Sequence, residues 1–161
     1  MSEWIGSEAW KRGQAVEREF EALLRQRDPH FRRATTEEQF RHIDFVTSFG
    51  TIDVKAKKRL HRAKSIQEEK LWLEFRNVQG KHGWLTAPHL DVLAFERDDC
   101  FVLTKRTSLL ELADNLCDLS HHVDSPNKAH YRAYTRKGRR DLLSVIAISD
   151  LNLIPTVTWT K

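Results

Sequence analysis

Val16, Phe20, Leu23 and Leu24 fall at i, i+4, i+7 and i+8, the stripe of an amphipathic helix with one buried face, so the pattern predicts a helix from about Ser7 to Arg27. Projected around that helix, Glu17 lies at the edge of the stripe beside Leu24, whereas Glu19 and Glu21 point further toward solvent. Gly13 sits one turn earlier on the same face, where a missing side chain would let another backbone come close. After a polar, turn-like stretch (Asp28 to Gln39) the period changes from helical to extended. "HIDFVTSFGTIDVKAKK" predicts a β-hairpin, with strands Ile43 to Thr47 and Thr51 to Lys57 around the turn Ser48-Phe49-Gly50.

Further strands are predicted at Leu71 to Val78, Leu90 to Glu96 and Cys100 to Thr104. Within them "VLAF" is apolar on both faces, as in a central strand covered from two sides. A helix follows near Thr107, with Leu109, Leu110 and Leu112 to one side, and "LLSVIAI" adds a strand near the end. Helix, hairpin, strands, helix is the order of an α/β fold: one domain, 1–161, with helices flanking a single central mixed sheet.

Charge changes the picture through its placement. The net charge is only +4 and the pI about 9.2. Yet Lys55, Lys57, Lys58, Arg59, Arg62 and Lys64 follow one another with no intervening acid, and Arg136, Lys137, Arg139 and Arg140 form a second cluster. Two local basic patches suit a polyanion such as DNA. Cys100 and Cys117 make neither a disulfide framework nor a paired-Cys zinc motif, and Cys117 with His121 and His122 lacks a second ligand pair. Without a signal-peptide pattern or an apolar run of about 20 residues, the expected setting is the cytoplasm, with no membrane partner.

Chemistry concentrates on the hairpin. Alternation puts Asp53, Lys55 and Lys57 on one face of their strand and Ile52, Val54 and Ala56 on the other, with Asp53 and Lys55 about 7 Å apart along the chain. Asp44, in the partner strand between Ile43 and Phe45, can approach Asp53 across the hairpin. Two carboxylates in an apolar strand pair repel each other unless a cation sits between them, and Mg²⁺ is held by one or two carboxylates plus waters and phosphate oxygens. A lysine beside such an ion can orient or deprotonate a water and offset charge on a phosphorane-like transition state.

In order, "GQAVEREF", "HID", "IDVKAKK", "LWLEF" and "GWL" resemble the PD-(D/E)XK nuclease superfamily from Gly13 to Thr104, most closely small members such as Holliday junction resolvases and phage-type endonucleases. The resemblance implies a restriction-endonuclease-like fold. It makes Asp44, Asp53 and Glu17 ligands of Mg²⁺, with Mn²⁺ as a substitute, and puts Lys55 at the nucleophile. His42-Ile43 stands where the family has a proline before the first acid, a position that is not a ligand.

Other residues are placed by pattern alone. Glu74 either approaches the metal or pairs across strands with Lys55 or Lys57; Gln79 either touches phosphate or serves its turn; and His42 could bind phosphate. Trp72 and Trp84 are expected in the core. The expected activity is Mg²⁺-dependent DNA endonuclease cleavage, in a prokaryotic or phage-infected cell. Lys57, Lys58, Arg59, Arg62, Arg136, Lys137, Arg139 and Arg140 would contact DNA. Because one active site cuts one strand, a homodimer is expected. A chain this short has little room for a separate target-reading domain, which favours branched DNA over a fixed sequence. A homing or restriction-type enzyme and a silent DNA-binding homologue are the alternatives, the second opposed by the intact Asp44, Asp53 and Lys55.

Overall fold

Ser7 caps the first helix, its hydroxyl accepting from the Trp10 N–H at 3.2 Å, and the helix, α1, runs Glu8–Arg27. Asp28 ends it. The Asp28 N–H bonds the Leu24 carbonyl, and its buried carboxylate accepts from His30 N–H at 3.0 Å and from Ser48 N–H at 2.8 Å. One side chain thus stops the helix and holds the tip of the hairpin that follows.

The computed structural model describes residues 7–57 and 70–161, and the chain divides into two compact units. The first, of residues 7–57, Leu90–Leu103 and Val157–Lys161, contains β1 (Arg32–Arg33), the short helix α2 (Thr36–Gln39), β2 (Phe45–Thr47), β3 (Gly50–Lys55), β5 (Val92–Glu96) and most of β6 (Cys100–Lys105). With β10 (Val157–Thr160) these strands form a six-stranded mixed sheet in the order β1-β2-β3-β5-β6-β10. Neighbours β2 and β3 run antiparallel, whereas β3 and β5 run parallel with Asp53 beside Leu93 and Lys55 beside Phe95.

The predicted helical stripe meets this sheet. Val16, Phe20, Leu23 and Leu24 pack with Phe45, Ile52, Val54, Ala94, Phe101 and Leu103. Phe20 is the hub, its ring 5.9 Å from Phe45, 5.1 Å from Phe101 and 5.2 Å from Trp159. At the hairpin tip Gly50 has φ +127°, which a β-carbon disfavours, and such a carbon would lie 2.9 Å from Asp91.

The second unit, of residues 70–89 and Thr104–Thr156 among those described, has its own sheet. It comprises β4 (Lys70–Arg76), β7 (Asp118–Val123), β8 (Arg132–Tyr134) and β9 (Leu142–Ala147), ordered β4-β9-β8-β7, together with helix α3 (Arg106–Leu116). Two sheets replace the single one expected. "LWLEF" does form a strand, but it pairs antiparallel with the late strand "LLSVIA" and not with the hairpin. Periodicity identifies a strand and is silent on its partner, here some seventy residues away. Among the described residues no helix is long and apolar enough to cross a membrane.

Gly13 departs from expectation. Among the described residues a β-carbon there would meet no atom within 4 Å, so none of their backbone approaches it, whereas one at Gly83 would crowd the Glu74 carbonyl oxygen. Opposite responses are expected in urea unfolding: Gly13→Ala stabilises by about 1 kcal/mol through helix propensity, and Gly83→Ala destabilises by about 1–3 kcal/mol through overpacking. A destabilising Gly13→Ala would restore the close-approach role.

Candidate active site

Asp44 precedes β2, where the hairpin ladder becomes irregular. The regular register pairs Phe45 with Ile52, yet it is the Asp44 N–H that bonds the Ile52 carbonyl, at 2.8 Å. The side chain completes the substitution: Asp44 Oδ2 accepts the Val54 N–H at 2.7 Å. A carboxylate therefore does the work of a backbone carbonyl, which fixes it against β3 directly beside the residue preceding Val54, Asp53.

Asp53 is 4 % exposed. Lys55 Nζ lies 2.8 Å from its Oδ2, an ion pair that leaves this buried oxygen without a well-aligned hydrogen bond among the described residues. Burial raises the Asp44 carboxyl well above the usual carboxylate range; the charges of Asp53 and then Glu17 push it further, opposed by the Val54 N–H. Glu17, half-buried on α1, is also raised, first by desolvation and then by Asp53, with Arg33 and Lys55 acting against it. Glu17, Asp44, Asp53 and Lys55 thus lie within electrostatic reach of one another.

A buried carboxylate held by a lysine ammonium, beside a second carboxyl held off its normal ionisation, is a hard-oxygen pair suited to Mg²⁺ or Mn²⁺. Among the described residues no group of three or more His, Cys, Asp and Glu side chains is placed to hold a metal ion. The fitting set is the Asp44–Asp53 pair, and one or two carboxylates are the usual complement for Mg²⁺.

One cation was not legible beforehand. Arg33, in two-residue β1, donates from Nε to Glu21 Oε1 at 3.0 Å, a bond that raises its pKa, and the charges of Glu17 and Asp44 add to the effect. It joins the cluster because β1 pairs with β2, Arg33 opposite Phe45. In sequence "FRRATTEEQ" reads as polar turn, and two residues are too few for a strand pattern.

Beyond Lys55 the chain is clamped at Lys57. Its N–H donates to Glu96 Oε1 at 2.9 Å, and its carbonyl accepts from Arg12 Nε at 3.3 Å. Glu96 is buried and ion-paired to Arg12 and to Lys161, whose Nζ lies 3.1 Å from Oε2. The Lys57 ammonium pairs with Asp98 at 2.6 Å, so this predicted DNA contact has an acidic partner within the chain. Lys58, Arg59 and Arg62 lie outside the described residues.

The second basic cluster is in the other unit. Arg136 donates to buried Asp141 from both its N–H and its Nε, while Lys137, Arg139 and Arg140 are exposed around Gly138, whose φ is +73°. Glu74 pairs with neither Lys55 nor Lys57 through a ladder, since β4 belongs to the second sheet; its Oε1 accepts from Trp84 N–H at 3.3 Å. Gln79 is exposed in a turn closed by Asn77. Trp84 is buried as expected, and Trp72 is half-buried against Tyr134. His42 is half-buried with φ +64°.

Comparison with protein-family models, with curated proteins and with solved structures returned no match.

The crowded acids predict a pH signature. A carboxyl raised in the folded state binds more protons folded than unfolded, so stability is complete below the ordinary carboxylate range and falls as pH climbs through the raised value. Asp44→Asn keeps an oxygen for the Val54 N–H and removes the charge. In thermal melts without divalent ions, it is expected to match wild type near about pH 4 and to melt several degrees higher at about pH 8. Mg²⁺ should raise the wild-type Tm at the higher pH and leave the variant's nearly unchanged. A gap independent of pH would mean that Asp44 is not crowded.

Proposed function

We propose that this chain is a metal-dependent endodeoxyribonuclease of the PD-(D/E)XK kind, with the restriction-endonuclease-like arrangement in its first unit. The observation that carries the reading is the pair of withdrawn carboxyls with Lys55 against one of them: Asp53 Oδ2 is buried and 2.8 Å from the Lys55 ammonium, with the Asp44 carboxyl beside it. Two buried acids crowded beside one lysine hold more negative charge than an ion pair built for stability alone requires. The acid pair would hold Mg²⁺, and when bound the ion supplies Lewis acidity and lets both acids ionise together.

The chain's own groups have distinct tasks. Asp44 and Asp53 bind and orient, each fixed by the β2–β3 backbone. Lys55 Nζ, on the same strand face, is placed to hold the attacking water or to meet charge growing on a phosphate oxygen. Glu17, raised toward neutrality by burial, can exchange a proton with water at the rim of the site. Arg33 contributes a permanent positive charge close to the acids. Branched DNA remains the favoured substrate, the chain acts as a homodimer, and the cytoplasm of a prokaryotic or infected cell is its setting.

With supercoiled plasmid, linear duplex and a synthetic four-way junction as substrates, Mg²⁺ should support cutting and EDTA abolish it. Asp44→Ala and Asp53→Ala should lose cleavage while binding DNA within about threefold of wild type, because the phosphate contacts are untouched. Lys55→Ala should lose most of the rate and keep the Mg²⁺-induced rise in Tm. Full cleavage by either aspartate variant would remove the site, and discrete cutting at a few positions in linear duplex would replace the branched-DNA reading by the restriction type.

Lys137, Arg139 and Arg140 are expected to contribute to binding through phosphate. Each replacement by Ala should reduce the slope of log K against log salt on duplex DNA by about 0.9. Unchanged slopes would dismiss this turn as a DNA surface.

A further inference from the structure

Phe40 is 83 % exposed, the most exposed of the large apolar side chains among the described residues. A single exposed apolar residue is ordinary, but the setting of this one is not. It stands at the end of α2, a four-residue helix that buries none of its own side chains. A helix this short has little stability of its own, yet it is pinned at every available point. Thr35 and Glu38 form a reciprocal cap, with Glu38 N–H to Thr35 Oγ1 at 3.2 Å and Thr35 N–H to Glu38 Oε1 at 2.9 Å. Arg32 grips the same carboxylate with two bonds, at 2.7 and 3.0 Å, and these bonds hold the Glu38 pKa down to about 2.

The exit is equally fixed. Phe40, Arg41, His42 and Ile43 each donate a backbone hydrogen bond back into the turn, to Thr36, Glu38, Gln39 and Glu38 in that order. His42 takes the left-handed conformation that redirects the chain, and buried Ile43 anchors its end. The result is a stiff knuckle whose apex offers an aromatic face and the exposed Arg41, which has no ion pair among the described residues. Phe40 stands four positions before Asp44, a reach of at most about 14 Å even if the chain were fully extended. At about 3.4 Å per nucleotide step along one strand, that is within about four nucleotides of any phosphate at the acid pair.

We infer that Phe40 is a stacking platform for an unpaired or unstacked base of the DNA substrate, close to the scissile phosphate, with Arg41 on the neighbouring backbone. The inference rests on the nuclease reading and deepens it by naming the substrate class: DNA that presents a base face within a few nucleotides of the cut, as at a flap, gap or branch. A continuous duplex keeps its base faces covered. An aromatic ring gains contact with a base only where the stack is already open, and cation with aromatic is the usual composition of a single-strand surface.

The test is equilibrium binding in EDTA, using two labelled DNAs of equal length, one fully paired and one with a short unpaired segment carrying 2-aminopurine. Phe40→Ala is expected to weaken the partly unpaired DNA about tenfold, the contribution of one stacked base, and to leave the paired DNA within about twofold. Phe40→Trp should restore affinity, and the 2-aminopurine signal should change on binding to wild type and not to Phe40→Ala. Because the ring is exposed, both variants should melt with wild type. Equal losses on both DNAs, no loss on either, or loss of dimer with binding unchanged would each overturn the stacking role. The two readings fail separately. Wild type that binds and cuts DNA in a manner dependent on Mg²⁺ and Asp53, with Phe40→Ala indistinguishable from it, sinks the stacking role alone; wild type that binds neither DNA sinks both.

Discussion

The hydrogen bond from the Val54 N–H to the Asp44 carboxylate is the constraint on which the site depends. A strand amide normally bonds a carbonyl, and here it is given a side chain. That exchange ends regular pairing between the two hairpin strands, satisfies a buried donor, and places an acid against Asp53 where repulsion would otherwise drive it out. The surroundings then follow. Ile52 and Val54 must turn inward to the Phe20 hub, so Asp53 and Lys55 must share the opposite face. Asp28 keeps the far end of the hairpin tied to α1, the helix that carries Glu17.

What was legible in the sequence was whatever depends on neighbours along the chain. The α1 stripe, the hairpin, the buried "VLAF" strand and the helix after β6 all follow from local period, and the hairpin's alternation placed Asp53 and Lys55 together. Asp44 was singled out by the oddity of an acid between two apolar residues, and its half-buried backbone with a withdrawn carboxyl accounts for the oddity. What escaped was set at long range. The pairing of "LWLEF" with "LLSVIA", and with it a second sheet, is decided by which edges meet after collapse, and both edges are equally apolar in sequence. Arg33 enters the site through a two-residue strand. The open space around Gly13 is a property of what α1 does not touch, which no pattern encodes.

Charge adds a second lesson. Of the basic residues that stand out in sequence, Lys57 and Arg136 each have an acidic partner, Asp98 and Asp141, whereas Lys137, Arg139 and Arg140 remain exposed. A count of cations therefore overstates the charge available to a ligand. Arg33, which acts on the acids from a segment whose net charge is close to balanced, is likewise ion-paired, to Glu21.

The clamp on Lys57 has a consequence for how this chain can vary. It grips the backbone on both sides of one α-carbon, through the N–H and the carbonyl of Lys57, and uses nothing of the side chain. The gripping groups, Glu96 and Arg12, come from β5 and α1, so the chain just past β3 is held by parts of the fold that precede and follow it in sequence. Position 57 can therefore change its side chain at low risk to the acids, since what α1 and β5 hold is backbone that every residue but proline shares.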